Sequence, residues 1–211
     1  MGVSKKTASP QRIGVLGGAF DPPHVVHVAL AEAACAELNL DVLHVIPTGD
    51  AWHKTRTLTA AEHRVAMSQL AFSNVPQAVV DTREITRSGP TYTVDTLREL
   101  KAEYPDAQLY LIMGADQARA LTSWRDWEEV TRLAIICVAA RAPSAGANGA
   151  IRTEFGADFP PGVEVHRIAM PVSDLSATRI RTQLAAHTSV SPLVFEPVAR
   201  YIALHHLYLT P

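Results

Sequence analysis

The sequence predicts a doubly wound α/β fold, a Rossmann-like parallel sheet flanked by helices, with a small helical part at the C-terminal end. Two observations predict it. Runs such as Leu109–Met113 are apolar throughout rather than alternating, as expected of strands buried on both faces. Between these runs lie stretches whose apolar residues recur every three or four positions, the period of a helix packed against a sheet.

The elements follow in order. Arg12–Leu16 is a short apolar strand ending at Gly17 and Gly18, and Val28–Leu38 is an Ala/Leu/Glu helix. Val42–Ile46 is β-branched and stops at Pro47. Thr59 and Glu62 have the spacing of a capping box, which opens a helix over Ala60–Phe72. Ala78–Val80 begins a third strand, and Thr93–Tyr104 is helical with Val94, Leu97 and Leu100 on one stripe. After the strand Leu109–Met113, Trp124, Trp127 and Val130 recur every third residue on a further helix, with Trp127 assigned to the core. That helix leads to the strand Leu133–Val138. Arg141–Gly162, rich in Ala, Gly and Pro, reads as a loop. A last strand at Val163–Ile168 precedes helices from Ser176 to about His187 and over Pro197–His206. The expected organisation is one domain over residues 12–211, with 171–211 as a C-terminal helical subdomain and 1–11 as a disordered N-terminus.

Composition narrows the class. The chain has 211 residues, 47% of them hydrophobic, which suits a self-sufficient core. The net charge of −2 excludes a general basic footprint for nucleic acid, so any bound anion must be met by a local cluster. Cys35 and Cys137 have no paired spacing and read as small core residues of a protein from a reducing compartment. No stretch reaches the roughly 18 apolar residues of a membrane span, and a cytoplasmic location is expected.

The stretch Gly-Gly-Ala-Phe-Asp-Pro-Pro-His-Val-Val-His over residues 17–27 is the most informative. A strand runs into two glycines, followed by Asp21 as the expected N-cap and Pro22 at the first helical position. Glycines admit a phosphate close to the backbone, and a helix start offers N–H groups and a positive dipole end. His24 and His27, three apart, fall on one helical face and present two cationic or donor groups. The glycines at 14, 17 and 18 do not make the dinucleotide fingerprint, and no third ligand completes a metal site. From the residues alone, a structural role for the His pair stays open beside a phosphate-binding one. Near the other end of the chain, Leu-Ser-Ala-Thr-Arg-Ile-Arg over 175–181 opens a second helix, with Ser176 as N-cap and Arg181 as a planar fork for phosphate oxygens.

These two stretches resemble the paired signatures of the nucleotidyltransferase superfamily, Gly-x-Phe-Asp-Pro-x-His-x-Gly-His and Ile-Ser-Ser-Thr-x-Ile-Arg. Two departures are Val26 where the family has Gly, and Ala177 where it has a second Ser. Trp52-His53-Lys54 resembles the family's basic loop. The resemblance implies that His24, His27, Lys54 and Arg181 stabilise charge on ATP phosphates, with His53 as a weaker candidate. It implies ATP contacts from Gly17, Gly18, Ala19, Phe20, Gly114, Asp116, Ser176 and Thr178.

Gly-Pro-Thr-Tyr-Thr-Val-Asp-Thr-Leu over 89–97 and Ser-Trp-Arg-Asp-Trp over 123–127 are similar to stretches of bacterial nicotinate mononucleotide adenylyltransferases. In that subfamily the first Trp stacks on the pyridine ring. The resemblance therefore implies a nicotinate site at Thr91, Tyr92, Thr93, Trp124 and Arg125. It also implies the transfer of AMP from ATP to nicotinate mononucleotide, with Mg²⁺ carried by ATP and pyrophosphate released. Nicotinamide mononucleotide as acceptor, another nucleotidyltransferase of the same fold and a non-catalytic nucleotide-binding protein stay open as alternatives. So does the oligomeric state, a homo-oligomer included.

Overall fold

A computed structural model describes residues 11–49, 58–141, 159–160, 162–171, 173 and 175–209. The expected basic loop with Trp52, His53 and Lys54, the N-terminus before residue 11, and most of the loop after the fifth strand lie outside the described residues. Among the described residues, the strands β1 (Arg12–Gly18), β2 (Val42–Pro47), β3 (Ala78–Val80), β4 (Gln108–Met113), β5 (Ala134–Arg141) and β6 (Val165–Met170) form one sheet. Their order is β3-β2-β1-β4-β5-β6, and each neighbouring pair is parallel. The helices are α1 (Val25–Leu38), α2 (Ala61–Phe72), α3 (Arg83–Thr86), α4 (Thr93–Glu103), α5 (Ala115–Ala120), α6 (Trp127–Leu133), α7 (Ala177–Ala185) and α8 (Glu196–Leu204).

Why the strands read as solid apolar runs is now visible. Successive side chains point to opposite faces, and both faces are covered. In β4, Leu109, Leu111 and Met113 enter the core beneath α4 and α6, while Tyr110 and Ile112 enter the core beneath α1, α2, α7 and α8. Ile180, Val190, Val194, Val198 and Ile202 of the C-terminal stretch belong to that second core, beside Leu43 and Val45 of β2. Cys35 and Cys137 are both free and buried, and burial pushes their thiols up to about 11 and about 12. No helix among the described residues is long and apolar enough to cross a membrane.

Several local expectations give way. The Thr59–Glu62 capping box does not form: α2 starts at Ala61 with Ala60 as N-cap and no side-chain cap. The Thr59 carbonyl instead accepts from Arg64 Nε at 2.8 Å, and its N–H donates to Asp21 Oδ2 at 3.3 Å. Trp124 does not lie on the helix of Trp127. It caps a 3-10 turn over Leu121–Ser123, and Asp126, at φ 50°, breaks the chain before α6 begins. Both rings are half-buried, with Trp124 packed against the core under α4. Threefold spacing alone does not distinguish one helix from two short turns joined by a left-handed residue.

The sheet order sets where a ligand goes. β1 has β2 on one side and β4 on the other, so the chain leaves β1 in one direction and returns on its far side. At that reversal the loops beyond the strand ends diverge and leave a crevice. Gly17 and Gly18 end β1 at this point, and Gly114 follows β4 beside it.

Candidate active site

Helix α1 begins at Val25, before the expected Val28 but beyond the expected cap at Asp21 and Pro22. Beyond Gly18 the chain turns at Phe20, which is buried with φ 46°, and passes through a cis Asp21–Pro22 bond. His24, not Asp21, is the N-cap, with extended backbone at φ −143°. Two prolines hold the chain out of helix until that point. The carboxylate of Asp21 is instead a buried anchor, 1% exposed. Its Oδ1 accepts from Tyr208 Oη at 2.6 Å, and its backbone carbonyl accepts from Arg181 Nη1 at 2.8 Å.

The two histidines are stacked, with ring centroids 3.7 Å apart and planes 22° from parallel. The His24 backbone N–H donates to His27 Nδ1 at 3.2 Å, so in neutral His27 the proton sits on Nε2. The Phe20 ring meets His27 edge-on at 5.1 Å and fixes its orientation. The N–H of Val25 is taken by Leu193 O at 3.1 Å, so this first amide of α1 is not the open donor that the sequence suggested. Nor are the rings cationic at neutral pH. Burial lowers His24 to about 4, and burial together with the neighbouring His24 lowers His27 to about 3. Both rings are therefore neutral, and an anion beside such a ring favours its charged form. Val26 packs its side chain against the core rather than standing out from the helix start.

The distal segment joins this loop directly. Ser176 caps α7 as expected, its hydroxyl accepting from the Arg179 N–H at 3.3 Å. Arg181, one turn on, donates from Nη2 to Thr178 Oγ1 at 3.1 Å as well as from Nη1 to Asp21 O. Residues 160 apart in sequence are thereby fixed to one another.

A second linkage passes through residues that sequence patterns did not single out. Arg64 is 3% exposed and lies inside the protein, donating to the carbonyls of Thr59, Ala19 and Thr48. The Thr48 N–H donates to Gly18 O at 2.8 Å, so the turn after β1 and the turn after β2 are braced together. Gly49 follows, and a side chain there would run into the Glu84 carbonyl and the methyl of Thr91, so only glycine allows this approach. Glu84 is held by the Thr96 hydroxyl at 2.8 Å, and burial raises its carboxyl above the usual range. The signal for Arg64 was present: it shares a helical stripe with Met67, Ser68 and Ala71, all buried.

On the other side of Gly49 lie the residues expected at the nicotinate. Tyr92 is the N-cap of α4, and Thr93 its first residue. The Arg125 guanidinium lies 4.6 Å over the Tyr92 ring, and Tyr92 and Trp124 pack against the same core. The structure thus gathers Tyr92, Trp124 and Arg125, with Thr91 beside Gly49. Asp116 stands exposed at the start of α5, paired with Arg119. Among the described residues no three His, Cys, Asp or Glu side chains cluster closely enough to hold a metal ion.

Comparison with known proteins agrees with this geometry. The profile of the cytidylyltransferase-like family matches residues 15–183, which include both signatures. A relative from Albidiferax ferrireducens, named a probable nicotinate-nucleotide adenylyltransferase, is 60% identical over 95% of this chain and 99% of its own. One of the same name from Methylibium petroleiphilum is 41% identical over 97% and 96%. The chain belongs to the nicotinate-nucleotide adenylyltransferase family. A Plasmodium falciparum nicotinic acid mononucleotide adenylyltransferase, solved with NaAD, superposes with a TM-score of 0.75 at 20% identity, covering 94% of this chain and 97% of that one. At that identity the likeness speaks for the fold alone, a Rossmann-like parallel sheet flanked by helices.

Two outcomes follow from the geometry. Arg64→Ala removes a buried guanidinium from three half-buried carbonyls and costs about 3 kcal/mol of stability, read from urea unfolding. The histidines give a pH signature. Their folded values lie below the ordinary 6.5, so between pH 6.5 and about 4 the unfolded chain takes up more protons and stability falls as pH falls. His27→Gln removes one of these groups. Its loss of stability between pH 7 and 4.5 is expected to be smaller than that of the wild type, and an unchanged slope contradicts the burial account.

Proposed function

We propose that this protein transfers AMP from MgATP to nicotinate mononucleotide, forming nicotinate adenine dinucleotide and pyrophosphate. The observation that carries the reading is the junction of the stacked His24–His27 pair with Arg181, made through the Asp21 carbonyl at the crevice beyond β1 and β4. Imidazole donors and a guanidinium fork converge where a polyphosphate meets a helix start. The acceptor is read from the other half of the cleft, where Trp124, Tyr92 and the Arg125 guanidinium offer an aromatic face and positive charge to a flat anionic ring. The names carried by the relatives at 60% and 41% identity support the same acceptor.

In this reading the phosphate of the mononucleotide attacks the α-phosphorus of ATP in line, and pyrophosphate leaves. The attacking oxygen is already an anion, so no protein nucleophile is required. Catalysis is alignment plus stabilisation of charge on the transferring group. His24 and His27 donate to the phosphate oxygens, Arg181 spans two of them, and Lys54 is assigned to the β- or γ-phosphate. Gly17, Gly18, Ala19 and Phe20 give the nucleotide a close approach at the end of β1. Ser176 and Thr178 line it at α7, and Gly114 and Asp116 serve the ribose side. Thr91, Tyr92, Thr93, Trp124 and Arg125 hold the nicotinate ring. Mg²⁺ enters as part of the MgATP substrate.

The test is pyrophosphate release from MgATP with nicotinate or nicotinamide mononucleotide at equal concentration. The acid is expected to be strongly preferred. Preference for the amide overturns the acceptor assignment, and no release with either overturns the transfer itself. His24→Ala is expected to lower turnover by roughly 10² to 10³, the usual cost of one transition-state donor, and wild-type turnover in that variant sinks the role given to the pair.

A further inference from the structure

The C-terminal turn reaches the loop that carries the histidines. After α8 the chain folds back on itself, with His206 at φ 50° and Tyr208 at φ 64°, and the Leu207 N–H closes the turn on Ile202 O at 3.0 Å. This directs the Tyr208 ring onto the core between α1 and α2. Its hydroxyl then donates to Asp21 Oδ1 at 2.6 Å, across 187 residues of chain, and lies 3.9 Å from Met67 Sδ. Asp21 is three residues before His24, and its own carbonyl holds Arg181. We infer that Tyr208 is a positioning residue for adenylyl transfer, its hydroxyl setting through Asp21 the placement of both the His24–His27 pair and Arg181.

The inference rests on the proposed transfer reaction, and its physical basis is the cost of removing a short hydrogen bond, 2.6 Å long, from a buried carboxylate. Asp21 is almost fully enclosed, so no water replaces a lost partner without the loop moving. Burial, followed by the Asp21 charge, raises the phenol above its ordinary value, so the hydroxyl keeps its proton and remains a donor. The Thr59 N–H donates to Asp21 Oδ2 at 3.3 Å, a longer contact than the Tyr208 bond. A shift of the loop between Gly18 and His24 displaces both imidazoles and, through the Asp21 carbonyl, the Arg181 fork. Misplacement by about 1 Å costs an aligned transfer reaction on the order of a hundredfold.

Tyr208→Phe removes one oxygen and keeps the ring, so the experiment is steady-state pyrophosphate release by this variant, with thermal melting run alongside. The expected result is a kcat lowered about tenfold to a hundredfold, with KM for MgATP and for nicotinate mononucleotide within about twofold of the wild type. Tyr201→Phe, which removes a hydroxyl bonded to His63 at 2.9 Å on the same C-terminal stretch, is expected to keep wild-type kcat. In an Asp21→Ala background, where the hydroxyl has lost its acceptor, Tyr208→Phe is expected to lower kcat by less than about twofold, because the group it acts through is already gone. Unchanged kcat in Tyr208→Phe overturns the inference, as does an equal fall in Tyr201→Phe or an undiminished fall in the Asp21→Ala background. A wild-type protein that releases no pyrophosphate overturns the transfer reading instead, which separates the two failures.

Discussion

The bond from Arg181 Nη1 to the Asp21 carbonyl holds the two halves of the proposed phosphate site together. One half comes from the first turn of the sheet and the other from a helix that follows the last strand. Neither is complete without the other: the loop supplies imidazoles and glycines, and α7 supplies the guanidinium. Because Asp21 is buried and its carboxylate is held by Tyr208 and Thr59, the carbonyl that Arg181 meets is a fixed point rather than a surface loop atom. Buried polar groups of this kind specify geometry when every partner is present and are costly when one is missing.

The same economy of buried contacts continues into the acceptor side. Arg64 gathers the carbonyls of Ala19, Thr48 and Thr59, so the turns after β1 and β2 and the start of α2 share one donor. Thr48 and Gly49 pass the linkage on to Glu84 and Thr91, and Thr96 ties Glu84 to α4, whose N-cap is Tyr92. A continuous chain of contacts thus connects the residues proposed for the polyphosphate to those proposed for the nicotinate. Neutral histidines suit this enclosed setting. Burial keeps the rings uncharged near neutral pH, so two stacked imidazoles do not hold adjacent like charges.

Much of this was legible in the sequence because the strands are apolar on both faces, a pattern that only a covered parallel sheet explains. The His pair and the Ser176 cap were legible because each is a local pattern of a few residues. What escaped were contacts whose partners are far apart in the chain. Nothing near Asp21 announces Tyr208, and an arginine in a helix reads as surface until its stripe is compared with Met67, Ser68 and Ala71. The N-cap was misplaced at Asp21 for a related reason: an Asp before Pro fits the local rule, but its carboxylate was already committed to a tertiary contact. Trp124 and Trp127 were set on one helix because Asp126 gives no sign in the pattern of its left-handed backbone.

The claim that the loop after β1 and the start of α7 act as one clamp is tested most directly by a double-mutant cycle on turnover. His27→Asn, Arg181→Gln and the double variant are compared in kcat for pyrophosphate release from MgATP and nicotinate mononucleotide. If the two groups form one unit, each single change removes most of the effect and the double variant is only slightly slower than either. If the double variant falls by the full product of the single effects, the two halves act independently and the account of a joined clamp is wrong.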